Sequence, residues 1–399
     1  MLHSVTTMGQ PLDAVLARAT QGLSAPDRAL ARALVSQALR QLPGIDATID
    51  SATERPLPED SRARQALRVA LAGRYCLDTP PHAVVATTLP LLEGGPRRLA
   101  HGVLSTIFRT VQALPAPALP DGVQARWADA WGETVAASAA LMLADIPPTD
   151  LRLADPARTA DYKTQLGATS LFPGHLRLPD GADISELPGF TAGDWWVQDA
   201  AAQLAVPLLG DVAGKNILDL CAAPGGKTMQ LAAAGAHVTA VDMSASRLKR
   251  LRENLKRTGL SATVVTADAL LWAPDAPFDA ILLDAPCSAT GTFRRHPEVL
   301  LRGGGAVLTR LAALQSALLA RASGWLKPGG TLVCAVCSLE REEAPPAPPA
   351  VLAPYPVTVD ELPAGLLPTA EGYVRTLPGL WRESGGADGF QIARYRRRP

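Results

Sequence analysis

The 399-residue chain has no net charge, because 38 Lys and Arg offset 38 Asp and Glu. Nucleic-acid binders are usually basic, so this balance counts mildly against such a partner and leaves any such role to local clusters. Three clusters stand out: Arg247, Lys249, Arg250, Arg252, Lys256 and Arg257; Arg294-Arg295-His296; and Arg396-Arg397-Arg398. A solvated helix face or a tail is an equally good reading of each. Long apolar runs are missing too. The stretch Val135 to Ala144 falls far short of the ~20 residues a membrane span needs. No basic segment followed by an apolar run opens the chain, so no secretory signal is expected. Five cysteines make no disulfide framework at this length, and read as reduced thiols of a cytoplasmic protein. What is present is 47% hydrophobic and 19% charged residues, enough for ordinary packed cores. The length suggests two or three domains.

The first ~145 residues read as helices. Ser24 with Asp27 resembles a capping box ahead of Leu30, Leu34, Ala38 and Leu42. Further helical runs begin at Ser61, after Pro80-Pro81, and at Arg97. Pro115 to Pro120 is a break, and one more helical stretch covers Ala125 to Leu143. The expected order is an all-α domain over 1–145, a small α+β connector over 146–194, and an α/β domain over 195–399. In the last, Asn216 to Cys221, His237 to Asp242, Thr263 to Asp268, Phe278 to Asp284 and Thr331 to Val336 read as buried strands. Helical stretches Ser244 to Thr258 and Ala306 to Leu326 lie between them. Alternation of this kind implies a doubly wound, Rossmann-like parallel sheet, which binds ligands beyond the carboxyl ends of its strands. The Pro-rich stretch Ala344 to Pro356 reads as an irregular loop.

The first strand runs into Cys221-Ala222-Ala223-Pro224-Gly225-Gly226-Lys227. Small residues at a strand-to-helix turn let a ligand approach the backbone. A P-loop would need Gly where Cys221 stands, and a dinucleotide fingerprint would need a third Gly. The remaining reading is a turn that faces a nucleoside. Asp242 and Asp268 end the next two strands, where a ribose and an adenine edge would be held. The fourth strand leads into Asp284-Ala285-Pro286-Cys287, and the fifth into Cys337-Ser338. Two cysteines and an aspartate at neighbouring strand ends suit nucleophilic catalysis on a cytosine ring. A thiolate adding at carbon 6 makes carbon 5 nucleophilic, and a carboxyl group can offset charge on the ring. Cys76 and Cys334 read as small core residues. Cys334 and Cys337 spell C-x-x-C, but no second such pair supplies metal ligands, and no metal is expected.

Cys221 to Lys227, Leu282 to Gly291 (LLDAPCSATG) and the Cys337-Ser338 strand resemble the Sun/NOL/NOP family of RNA cytosine-C5 methyltransferases. Arg294 to Pro297, the lead-in helix carrying Gln198-Asp199 and Gln203-Leu204, Arg375 through Pro378 and Asp388-Gly389-Phe390 fit the same family. The helical N-terminus is similar to the NusB-like RNA-binding domain of its bacterial Sun branch. That branch methylates small-subunit (16S) ribosomal RNA. The resemblance implies S-adenosylmethionine as methyl donor and RNA as partner, with no membrane and no obligate protein partner, in a monomer. It implies a cofactor site at Cys221, Ala222, Ala223, Pro224, Gly225, Gly226, Lys227, Asp242, Arg247, Asp268 and Asp284. It also implies that Cys337 attacks the base, Cys287 releases it and Asp284 lies between cofactor and base. Two alternatives stay open: Cys287 attacks, as in DNA cytosine methyltransferases, or the chain binds RNA without catalysis. The family's Thr before the attacking Cys is here Val336, and its Asn after the Glu342-Glu343 pair is here Ala344. These departures bear on RNA affinity and target choice.

Overall fold

Ser24 and Ser61 stand in extended conformation, and each hydroxyl accepts the backbone N–H three residues on, 3.2 Å from Asp27 and 3.3 Å from Arg64. Each satisfies a donor that a helix start leaves open, and so fixes where the helix begins. The computed structural model describes residues 1–302 and 304–399. Its N-terminal helices are α1 Leu2–Thr6, α2 Leu12–Ala19, α3 Ala25–Arg40, α4 Leu42–Ser51, α5 Arg62–Cys76, α6 Pro81–Thr88, α7 Gly94–Thr110, α8 Asp121–Trp131 and α9 Glu133–Met142. The single helix expected over Ala125 to Leu143 is two, because Gly132 adopts φ +91°, outside helical space, and ends α8. Val35, Ile45, Ile49, Leu67, Leu71, Leu104 and Ile107 form the core of this region.

The chain divides into two compact units. One joins Met1–Ile146 to residues 293–302, and the other holds Pro147–Thr292 and Gly304–Pro399. In the first unit Phe293 packs edge-on against Trp127, with centroids 5.4 Å apart. The Leu12 N–H donates to the buried Glu298 carboxylate at 3.2 Å. The buried Arg40 guanidinium donates to the carbonyls of Asp145 and Arg294. Arg294 is itself buried, so Arg294-Arg295-His296 is not the surface basic cluster that its composition suggests.

The second unit begins with a three-stranded antiparallel sheet in which β1 (Asp150–Leu153) lies between β2 (His175–Arg177) and β3 (Trp195–Val197), with helix α10 (Thr159–Gln165) beside them. The third strand of this sheet therefore lies beyond residue 194. The lead-in segment expected to be helical is a three-residue 3₁₀ turn, Ala201–Gln203. The large sheet comprises β4 Asn216–Leu220, β5 His237–Asp242, β6 Thr263–Thr266, β7 Phe278–Asp284, β8 Leu326–Val336, β9 Leu352–Pro354, β10 Val374–Thr376 and β11 Phe390–Arg397. Its order is β10-β11-β8-β7-β4-β5-β6, with β9 beside β11. The block β6-β5-β4-β7-β8 is parallel, as expected, and is crossed over by α11 (Gly226–Ala233), α12 (Ala245–Thr258) and α13 (Gly305–Gly324). Strands β9, β10 and β11 add antiparallel pairing at one edge, so the sheet is mixed. The central strands β4 and β7 do not alternate between buried and exposed residues. Ile217, Leu218, Leu220, Ile281, Leu282 and Leu283 are all buried, as strands covered on both faces require. No helix among the described residues is long and apolar enough to cross a membrane.

Asp150, the first residue of β1, is wholly buried. It accepts two hydrogen bonds from Arg177, at 2.7 and 2.9 Å, and one from the Ala200 N–H at 2.9 Å. Burial acts to raise its pKa, but the nearby His175 and the bonds and charge of Arg177 outweigh it and hold the carboxyl well below its usual range. Arg177 also donates to the Gly386 carbonyl at 2.7 Å, which ties the C-terminal loop to this sheet. Removing one member of a buried pair strands the other. Asp150→Asn is expected to destabilise the second unit by about 3–5 kcal/mol, measured as a fall in its urea midpoint at pH 7. An unchanged midpoint would refute this account of the pair.

Candidate active site

The residues singled out in the sequence fall at, or just past, the carboxyl ends of the parallel strands. After β4 the chain leaves through Cys221, at φ +60°, and Gly225, at φ +108°, before α11 begins at Gly226. A Cβ at Gly225 would lie 2.8 Å from the Leu251 side chain, so the turn can pass this close to α12 only as glycine. The buried Asp242, at the end of β5, steadies the same turn. Its carboxylate accepts the Ala223 N–H at 3.1 Å and the Ser244 N–H at 2.8 Å. Arg247 donates to the Ala223 carbonyl and lies 3.7 Å from Asp242, so it braces the turn. Asp268 sits past the end of β6, two residues beyond the strand. It is exposed, and its side chain accepts the Leu270 N–H at 2.9 Å.

The Gly-rich turn leaves room beside it for a nucleoside. Each oxygen of the buried Asp242 takes one backbone N–H. Next to the turn a cleft of about 360 Å³ is lined by Ala222, Pro224, Gly226, Lys227 and Asp284, with Trp196 and Gln198. Asp242, Asp268 and the cysteines do not line it.

Lys227, in the first turn of α11, reaches Asp284 at the end of β7 with Nζ 2.8 Å from Oδ2. Its ammonium also lies 5.2 Å from the centre of the Phe390 ring. Burial works to lower the Lys227 pKa, but the charge and hydrogen bond of Asp284 raise it above its ordinary value, with help from Cys337. A charged lysine is therefore paired with the aspartate. Sequence placed Lys227 and Asp284 at the site singly, and the pairing emerges from the fold.

Asp284 lies opposite Ala335 in the parallel pairing of β7 with β8, so the two chains leave the sheet side by side. The Sγ atoms of Cys287 and Cys337 are 3.4 Å apart, and both side chains are half-buried. The hydrogen bond with Cys337, then burial and the charges of Cys337 and Glu343, push the Cys287 thiol well above its usual pKa. Cys287 thus remains a proton-bearing thiol beside Cys337. Burial pushes Cys221 and Cys334 up to about 12, so neither is a nucleophile near neutral pH. The loop after Cys287 is drawn against β8 by the Gly291 N–H, which donates to the Cys337 carbonyl at 3.0 Å. A Cβ at Gly291 would run into the Gly389 backbone.

Two groups at this site were not singled out from sequence. Glu343 is one, wholly buried behind the cysteines. Asp219 is the other. It is buried in β4, where Oδ2 accepts the Thr228 hydroxyl at 2.6 Å and Oδ1 has no hydrogen-bond partner. Burial drives its pKa up to about 7, against the hydrogen bond from Thr228. A carboxyl whose folded pKa is raised favours folding below its unfolded pKa of about 3.9, and that contribution is lost as pH rises towards 7. Asp219→Asn is therefore expected to gain stability relative to the parent as pH rises from about 4 to about 7. Parallel urea midpoints for the two proteins across that window would overturn this.

Residues 206–360 match the family model for the 16S rRNA methyltransferase RsmB/F, and residues 1–94 match that of the NusB family. The chain is 36% identical over 433 aligned positions to the ribosomal RNA small subunit methyltransferase B of Klebsiella pneumoniae subsp. pneumoniae, covering 100% of this chain and 96% of that one. It is 34% identical to the protein of that name from Xanthomonas campestris pv. campestris, covering 86% and 84%. The fold is shared with a methyltransferase homologue from Pyrococcus horikoshii, at 24% identity and a TM-score of 0.57 over 73% of this chain and 98% of that one. With a NusB-type helical unit ahead of a mixed sheet whose strand ends carry the Gly-rich turn and the paired cysteines, the chain belongs to the RsmB/F family of 16S rRNA methyltransferases.

Proposed function

We propose that this chain methylates carbon 5 of a cytosine in 16S ribosomal RNA, with S-adenosylmethionine as methyl donor, as a monomer in the cytoplasm. The observation that carries the reading is the pair of thiols 3.4 Å apart beside the Lys227–Asp284 ion pair. When bound at the β4 turn and Asp242, S-adenosylmethionine supplies an electrophilic methyl group. The chain's own residues do the rest. Cys337, as thiolate, adds to carbon 6, and the electron pair moves onto the ring. The Lys227 ammonium, held in place by Asp284, offsets the charge that gathers on the ring. Carbon 5 then takes the methyl group and afterwards loses its proton to a base. The bond from carbon 6 to the Cys337 sulfur breaks, and the electron pair returns to sulfur. Cys287 donates its S–H to that departing thiolate, which the 3.4 Å separation allows. Asp268, exposed beyond β6, would meet the adenine edge, and the N-terminal unit would engage RNA.

Labelled S-adenosylmethionine and 16S rRNA from a strain lacking this protein test the reaction, and trapping tests the roles. The expected product is 5-methylcytosine at one site. Cys287→Ser should leave the enzyme covalently joined to RNA, because release is impaired. Cys337→Ser should form no adduct and lose methyl transfer. Adduct in Cys337→Ser and none in Cys287→Ser would reverse the assignments. Bound RNA with no transfer to any substrate would leave a binding protein.

A further inference from the structure

Glu343 closes a 3₁₀ turn, Arg341–Glu343, and its side chain has no solvent exposure. A buried carboxylate is costly unless its oxygens are satisfied. Here Oε1 accepts the Ser288 N–H at 2.8 Å and the Gln315 side-chain amide at 3.4 Å. Oε2 accepts the Ser338 hydroxyl at 2.5 Å and the Ser288 hydroxyl. Ser288 follows Cys287 directly, and Ser338 follows Cys337. A single carboxylate therefore grips the residue after each thiol. Gln315, on α13, holds the other side of the first loop by donating to the Pro286 carbonyl at 3.0 Å. Thr290 joins in, 3.2 Å from the Ser338 hydroxyl, and accepts the Leu339 N–H at 3.1 Å.

We infer that Glu343 is a positioning residue for the reaction: by binding Ser288 and Ser338 together it sets the separation of the Cys287 and Cys337 sulfurs. The inference rests on the two-thiol reading of the site. A brace of neutral groups would hold two loops at lower desolvation cost, so the retained charge calls for a second role. That role is electrostatic. Glu343, bound to the residue after Cys287, adds its charge to the hydrogen bond with Cys337 and the burial that raise the Cys287 pKa. Geometry and charge thus serve one end, a proton-bearing thiol held within reach of the sulfur that must leave. Charge-assisted bonds to both serines suit this better than neutral ones, because they are shorter and stiffer.

The test uses the full-length chain with Glu343→Gln, Glu343→Ala and, as reference, Cys337→Ser. Glutamine keeps the size and the acceptor for the Ser288 N–H, but its amide nitrogen donates where Oε2 accepts, so the two serine hydroxyls lose their shared acceptor and the grip on both loops weakens. It tests grip and charge together should the alanine variant not fold. Expected for Glu343→Gln is a melting temperature close to the parent's, a KM for 16S rRNA within about twofold and a kcat lowered by about 10²-fold, the scale of a misplaced reacting group. The second readout is iodoacetamide alkylation of Cys287 against pH, in a Cys337→Ala background. With the charge gone, the Glu343→Gln profile should move to lower pH. A kcat within about twofold of the parent's would overturn the inference. So would a lowered kcat with an unmoved alkylation profile, which would leave a plain structural brace. Full methyl transfer by Cys337→Ser would instead sink the two-thiol reading, whatever the Glu343 variants do.

Discussion

The site depends on the register of two parallel strands. Because β7 pairs with β8 so that Asp284 lies opposite Ala335, the chains emerging from them carry Cys287 and Cys337 into sulfur contact. A slip of one residue would turn each side chain to the other face of the sheet and part the two sulfurs. Several features guard that register. Ile281, Leu282, Leu283, Val333 and Cys334 are fully buried on one face or the other. β8 is held on its far side by β11 over six paired residues. Beyond the strand ends, the Gly291–Cys337 backbone bond and the Glu343 carboxylate continue the pairing into the loops, where no ladder can.

How legible all this was in the sequence varies with the range of the forces involved. The parallel strands and the helices that Ser24 and Ser61 begin are written in local periodicity and caps, and their bounds came within a few residues. The Gly-rich turn and the Pro-Cys and Cys-Ser strand ends were equally plain, since each is one contiguous string. The split between α8 and α9 was missed because alanine-rich flanks mask a single Gly132, which turns to φ +91° between the two helices. Strand β10 was missed because it is only 3 residues long, and β11 because its antiparallel partner β8 lies far back in the chain. Glu343 and Asp219 act across gaps of 55 and 9 residues, to Ser288 and Thr228, and nothing in either neighbourhood marks a buried carboxylate. The places assigned to Asp242 and Asp268 remain proposals about ligands.

The neutral balance of charge is easier to understand once the ions are located. Many arginines are spent inside the protein. Arg64 and Arg68 face Asp46, Asp50 and Glu59. Arg177 faces Asp150, and Arg394 faces Glu361 at 2.5 Å. Arg257, in the basic run on α12, donates to the Phe190 and Trp195 carbonyls and lies over the Phe190 ring. Net charge therefore says little about the surface of this chain. A count of cations overstates what α12 offers a phosphate backbone, because Arg247 and Arg257 are already engaged. Lys249, Arg250, Arg252 and Lys256 are exposed, as is Arg247, whose guanidinium is held by the Ala223 carbonyl.

The first unit is discontinuous, since residues 293–302 complete a body otherwise made from Met1–Ile146. Translation reads a chain in one direction, so the helices of that body leave the ribosome long before the piece that finishes them. At about 5–20 residues per second the intervening ~150 residues take on the order of ten to thirty seconds. Throughout that interval Trp127 lacks the ring of Phe293, the Leu12 N–H lacks Glu298, and Arg40 lacks the Arg294 carbonyl. The nascent domain must wait, partly assembled, for a segment that follows the Pro-Cys loop in the chain. A protein whose substrate is ribosomal RNA thus finishes its own first domain only after most of its catalytic strands have been made.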